Sequence, residues 1–304
     1  MKELARFGIA AAFALVTAGV AGVALGQEAV TINPGAARHY SFTVDENNLQ
    51  EYKNFIGSDD PLTITSFEHR NATRHIAEIQ IFVLALMRGG CSCTIEIASL
   101  PREPSFSRQI DIVSSGHQVS HPIATFTDDP RIDPDKLFLS DLILAKDAFE
   151  VGLYTEEGRK DVLSITDINK VRDLRFVVSG GWDLDIDVLK RNNLNFVLGE
   201  EWGALLQMIK AGRGDVIMQP FASTPDLSVH YEDVGMTFRP VPGVKMNFGH
   251  GRHYFVSKLH PDGANLIGWL NAGIRDLRDE GLLAAFWVQS GVINPQAADF
   301  VSLN

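Results

Sequence analysis

In this chain of 304 residues the side chains best placed for chemistry gather where a strand gives way to a helix. Ser179-Gly180-Gly181-Trp182-Asp183 follows one apolar run and precedes an amphipathic one. Free N–H groups at a helix start attract an anion, and ligands of α/β sheets sit at the carboxyl ends of strands. Gly180, Gly181, Trp182 and Asp183 are therefore candidate ligand contacts, with Trp182 as a flat wall. The competing reading makes Asp183 a helix cap and Trp182 core. Glu68 and Arg70 occupy a similar turn after residues 62–65. A guanidinium such as that of Arg70 clamps a carboxylate well, although a surface arginine fits the same pattern. His117 and Gln118 follow the 111–113 run, a strand exit by this reading, where a lone His more often only meets solvent. Gln219 and Phe221 leave the apolar run at 215–218 and complete the ligand-binding set.

His250-Gly251-Arg252-His253 invites a metal. On a strand, however, residues three apart face opposite sides, and no carboxylate cluster adjoins them. No metal site and no cofactor are expected. No nucleophile–base pair, paired-carboxylate motif or phosphate loop stands out, so the chain is read as a non-enzyme. Glu68, His117 and Asp183 would be the groups for acid–base work if the cleft were catalytic.

The elements that must position these residues follow from periodicity. Residues 27–60 read as an irregular arm with one strand at 39–44. A strand at 62–65 leads to a helix carrying Ile76, Ile79, Val83 and Leu86, which Gly89-Gly90 stops. Strands are expected at 94–97, 111–113 and 149–154. From 174 the rhythm is regular: strand 174–178, a helix with Leu184, Val188 and Leu189, strand 195–198, helix 202–211, strand 215–218. A Pro/Gly-rich crossing at 239–243 precedes a strand at 253–257, a long helix opened by Pro261 and a short one at 282–289. Strands alternating with helices argue for an α/β fold with mostly parallel sheets.

Three stretches then carry a resemblance. They are Asp173-Leu174-Arg175-Phe176-Val177-Val178-Ser179-Gly180-Gly181-Trp182, Leu206-Gln207-Met208-Ile209-Lys210-Ala211-Gly212-Arg213-Gly214-Asp215-Val216-Ile217, and the run from Arg252 through His260-Pro261 to Asp279-Glu280-Gly281. Together they resemble extracellular (periplasmic) solute-binding proteins of the type-2 periplasmic-binding-protein fold, over roughly 145–290 and more weakly over 61–100. The resemblance implies two lobes, the first from 27–147 plus 246–304 and the second from 148–245, with crossings near 145–150 and 239–246. It implies a small-molecule ligand in the cleft between them and a membrane permease or receptor as partner. Members that bind amino acids carry an acid just past the strand that here ends in Met218-Gln219-Pro220-Phe221, and an arginine after a threonine. Only Arg131 is on offer here, so that pair of contacts is not carried over. The implied function is capture of a small anionic or zwitterionic solute for an ABC-type transporter. An exported sensing module, or a cleft hydrolase or dehydratase, is the alternative.

A formal net charge of −11 repels phosphate backbones and anionic lipids, so neither nucleic acid nor membrane surface is an expected partner, and a monomer is expected. The first residues explain where the chain works. Lys2 and Arg6 precede an uncharged stretch from Phe7 to Gly26 ending in Ala24-Leu25-Gly26, the pattern of a signal peptide over 1–26 cleaved before Gln27. A membrane anchor is the rival, but Ala and Gly dominate and no basic cluster follows. No Cys follows the cleavage point, so a diffusing periplasmic protein is expected. The two cysteines, Cys91 and Cys93, read as buried apolar fillers, because an extended chain holds such neighbours too far apart to bridge, with a strained bridge in an oxidising compartment as the alternative.

Overall fold

The computed structural model describes residues 28–99 and 105–304; the signal peptide expected at 1–26 lies outside them. In chain order the first lobe contributes β1 (Ala29–Ile32), β2 (Arg38–Val44), α1 (Glu46–Ile56), α2 (Arg74–Arg88), β3 (Cys93–Ser99), α3 (Phe106–Ser114), β4 (Thr125–Phe126) and β5 (Leu137–Leu139). Strand β6 (Glu150–Glu156) carries the chain into the second lobe. There α4 (Lys160–Leu163), α5 (Ile168–Arg172), β7 (Arg175–Ser179), α6 (Asp183–Arg191), β8 (Asn195–Gly199), α7 (Trp202–Lys210), β9 (Val216–Pro220) and β10 (Val229–Tyr231) follow. Strand β11 (Met236–Asn247) brings the chain back to β12 (Arg252–His253), β13 (Phe255–Ser257), α8 (Gly263–Asp279), α9 (Leu282–Gln289) and β14 (Val301–Ser302).

In the second lobe, β7 lies parallel between β8 and β9, and its Phe176, Val177 and Val178 are buried. Each such side chain contributes roughly 1.5–3 kcal/mol by leaving water. Antiparallel β6, β11 and β10 extend the sheet in the order β10-β11-β6-β9-β7-β8. In the first lobe β3 pairs antiparallel with β1 and parallel with β2. Helix α2, capped by Thr73, is buried from Ile76 through Leu86 and crosses α8 at close range. A Cβ on Gly273 would stand 1.9 Å from the Ala85 carbonyl oxygen, so only glycine permits the approach.

The tail returns to the crossing strands. β14 pairs parallel with β11, and the Leu303 N–H donates to the Lys245 carbonyl. The buried Lys245 ammonium donates to the carbonyls of Ala297 and Ala298 and pairs with Glu150 at 2.9 Å. Arg172 of the second lobe donates to the Leu303 carbonyl, and Asn294 to that of Ala222.

Several local expectations are corrected. Residues 62–65 form no strand: Pro61–Thr63 is a 3-10 turn whose cap Asp60 accepts from the Leu62 N–H. The 111–113 run belongs to α3, where Phe106, Ile110 and Val113 recur at helical spacing on a buried face. The arm at 27–60 holds β1, β2 and the eleven-residue α1, capped by Asp45 through the Asn48 N–H. The 239–243 crossing is continuous strand, interrupted by a register shift between Pro240 and Lys245. The 253–257 run is two short strands, one pairing with β4 and the other with β5. Cys91 and Cys93 form a disulfide, because the chain bends between α2 and β3 and brings their Cα atoms to 5.3 Å, closer than an extended chain would hold them.

Candidate functional site

The turn after β7 is fixed by its own polar groups. Ser179 Oγ donates to the Glu200 carbonyl at 2.8 Å and accepts from the Gly181 N–H, while the Gly180 N–H reaches the Gly199 carbonyl. These bonds tie the start of α6 to the loop that enters α7. Trp182 and Trp202 therefore stand together, ring centres 5.9 Å apart and tilted by 35°. Tyr231, at the end of β10, adds its ring edge 5.7 Å from Trp202. All three rings are partly exposed, unlike the fully buried Trp287, Tyr154 and Tyr254 of the core.

Gln219 completes this surface. Val177 pairs with Ile217, so continuing the register puts Gln219 level with Ser179 at the carboxyl end of the sheet. The Tyr231 hydroxyl donates to Gln219 Oε1, while the enclosed Gln219 Nε2 has no partner. Burial raises the Tyr231 phenol above its ordinary pKa, with the charges of Tyr154 and Glu51 adding to the effect. Glu51 lies on α1 of the first lobe, so the wall is within its electrostatic reach.

The first lobe answers with charge. Thr73 Oγ1 donates to Glu51 Oε2 at 3.2 Å. Arg74 pairs with buried Glu78, which also accepts from the Arg252 guanidinium at 2.6 Å and from the Ala124 N–H at 3.0 Å. Burial pushes the Asp185 carboxyl of α6 up to about 7, against the opposing pull of Arg74 and Arg252. Asp183 in turn helps hold Arg131 charged, although Arg131 is forked onto Asp129 at 2.8 and 2.7 Å. Aromatic rings and one amide on β9–β10 and the helix starts of α6 and α7 thus lie within electrostatic reach of the ionic groups on α1 and α2.

Of the residues singled out from sequence, Gly180, Gly181, Trp182, Asp183 and Gln219 come together here. The others lie elsewhere. Glu68 is exposed, and its N–H donates to Ser66 Oγ. Arg70 pairs with Asp59, donates to the Phe55 carbonyl at 2.7 Å and covers the Phe55 ring, so its guanidinium is spent on its own loop. His117 is exposed against Ser115 Oγ, and Gln118 donates to Thr43 Oγ1. Phe221 is buried between Tyr154 and Phe300. His250 meets Asp128, while His253 meets Ser140 and Thr127. Among the described residues no group of three or more His, Cys, Asp or Glu is arranged to hold a metal.

Sequence reasoning missed Glu51, Arg74, Asp185, Trp202 and Tyr231. Trp202 opens a helix directly after β8, the same strand-exit signal that marked Trp182. Arg74 and Tyr231 have no local signal, because their place depends on how α2 and the β10–β11 pair pack.

No protein-family model matches the chain, and no curated protein matches it by sequence. Solved structures do resemble it. The Bordetella pertussis BvgS periplasmic VFT2 domain is 13% identical, with TM-score 0.51 over 82% of this chain and 92% of that one. The B. pertussis BvgS periplasmic domain is 13% identical with TM-score 0.52, over 84% of this chain and 44% of that one. An amino acid ABC transporter substrate-binding protein from Streptococcus pneumoniae, bound to L-arginine, is 15% identical with TM-score 0.50, over 72% of this chain and 83% of that one. At such identities the likeness establishes the fold, a two-lobed type-2 periplasmic-binding-protein α/β fold.

Proposed function

We propose that the protein is a periplasmic solute-binding protein, not an enzyme, that captures a small polar molecule between its lobes, anionic or zwitterionic in character, and presents it to an ABC-type transporter. The observation that supports this reading is the partly exposed group Trp182, Trp202 and Tyr231 with Gln219, within electrostatic reach of Glu51 and beside an α6 whose Asp185 feels Arg74. Ligands of α/β sheets bind at this edge, and partly exposed rings beside an unsatisfied amide make a surface that a solute completes. The lobes in this reading are 27–147 plus 246–304 and 148–245, with β6 and β11 as the hinge. Closure is driven only by as much as ligand prefers the closed form. Delivery of the solute signal to a membrane receptor is the second reading, favoured by the likeness to the BvgS periplasmic domains.

Thermal shift against a panel of amino acids, organic acids, sugars and heteroaromatic compounds tests the reading, with X-ray scattering to follow closure. A solute that raises the melting temperature and shrinks the radius of gyration supports it. If no solute in the panel does either, the reading is wrong.

A further inference from the structure

We propose that the cleft selects a planar aromatic or heteroaromatic solute carrying a hydrogen-bond acceptor on its rim; this rests on the solute-binding reading above. Trp182, Trp202 and Tyr231 form one continuous series of rings, with centres 5.9 and 5.7 Å apart, all partly exposed. The two tryptophans are tilted by 35° to one another and both stay partly exposed. Stacking in offset or tilted geometry is the favoured contact of such rings.

Gln219 decides what the guest must carry. Its acceptor oxygen is taken by the Tyr231 hydroxyl, and its Nε2 donor is enclosed without a partner. Gln219 is 7% exposed with its Nε2 closed off, so water does not replace the missing partner freely and a guest reaches the donor by a turn of the side chain. An unsatisfied buried donor is costly, and a carbonyl, carboxylate or ring nitrogen on the guest removes that cost. A quaternary ammonium would fit the rings by cation–π attraction but would leave the Gln219 N–H unpaired. A sugar has acceptors but only a small apolar face. The aromatic wall and the donor beneath it are satisfied together by a flat ring bearing an acceptor.

The test uses the whole protein, with benzoate, benzamide, pyridine-3-carboxylate and adenine as aromatic probes and indole, choline, glutamate and glucose as the contrast. Binding is read by tryptophan fluorescence and calorimetry. At least one aromatic probe is expected to saturate with quenching. Gln219→Glu, which keeps an acceptor for Tyr231 and removes the donor, is expected to weaken that probe roughly tenfold or more. Trp202→Ala is expected to do the same, and Trp202→Phe to restore most of the affinity, with circular dichroism checking that each variant is folded. If aromatic probes bind but Gln219→Glu and Trp202→Ala change nothing, the proposal is overturned. If only indole, choline, glutamate or glucose binds, the proposal falls while solute binding stands. If nothing in either set or in the wider panel binds, both fall.

Discussion

The Glu78 carboxylate and the Arg252 guanidinium meet at 2.6 Å with neither side chain reaching solvent, 174 positions apart in sequence. Burial alone would raise the Glu78 pKa, but Arg252, Arg74 and His75 outweigh it and hold the carboxyl below its usual range. The pair also seats the Ala124 segment, since Glu78 accepts its N–H and Arg252 donates to its carbonyl.

Removing one partner strands a buried charge. Glu78→Ala is expected to cost about 3–5 kcal/mol in urea unfolding. The double change Glu78→Met with Arg252→Met is expected to cost less than the sum of the singles. A loss below about 1 kcal/mol for Glu78→Ala would show that the pair is not buried as described.

Asp185 gives a pH dependence of one sign. Its folded pKa, about 7, lies above that of an unfolded aspartate, near 3.9. Between these values the folded state holds the proton that the unfolded state has released, so stability falls as pH rises from about 4 to about 7. Asp185→Asn is expected to remove that loss. Denaturant midpoints across the range read it, and identical pH slopes in both proteins would contradict it.

His121 acts in the opposite sense. Burial holds its imidazole down to about 4, against an ordinary value near 6.5. The unfolded chain takes a proton that the folded one refuses, so this contribution is lost as pH falls from about 6.5 to about 4. His121→Asn is expected to flatten the acid limb of the melting curve; an unchanged limb would exclude His121 as its source.

The Cys91–Cys93 bridge closes a very small ring and so removes little freedom from the unfolded chain. Reduction is expected to cost only roughly 1–2 kcal/mol, read as a small melting shift with dithiothreitol. A loss of 4 kcal/mol or more (about the value for a ~100-residue loop) would mean that the bridge acts otherwise.

Two glycines on α8 are expected to respond oppositely. At Gly273 a Cβ meets the Ala85 carbonyl, so Gly273→Ala should lose about 1–3 kcal/mol. At Gly268 nothing lies within 4 Å, and Gly268→Ala should gain about 0.5–1 kcal/mol. Chemical denaturation of both variants checks the α2–α8 contact directly.

How much was legible in the sequence depends on how local each signal is. From 174 to 218 each strand and helix carries its own apolar period and turn, so β7 through β9 and the Ser179–Asp183 turn could be read directly. The 111–113 run was misread because three apolar-edged residues carry no period by themselves; Phe106 and Ile110 supply it. Arg70 looked free because its partner Asp59 lies in the preceding loop. The placement of Arg74 and Tyr231 was invisible, since it arises from the meeting of elements distant in sequence. Gln219 was legible as a position, but its unpaired nitrogen was not.

The C-terminal strand on β11 bears on the order in which the molecule comes into being. The β7–β9 core is assembled mostly from one continuous stretch, with Ala297 and Phe300 of the tail added against it. The other half is different: α2 waits for α8 to cover its apolar surface, and Lys245 waits for the carbonyls of Ala297 and Ala298. A chain emerging from its N-terminus therefore exposes α2 until more than 175 further residues have arrived. Domains fold as units during synthesis, and unfinished apolar surface invites aggregation. The half that begins first is completed last, and the closing residues act as the latch of assembly.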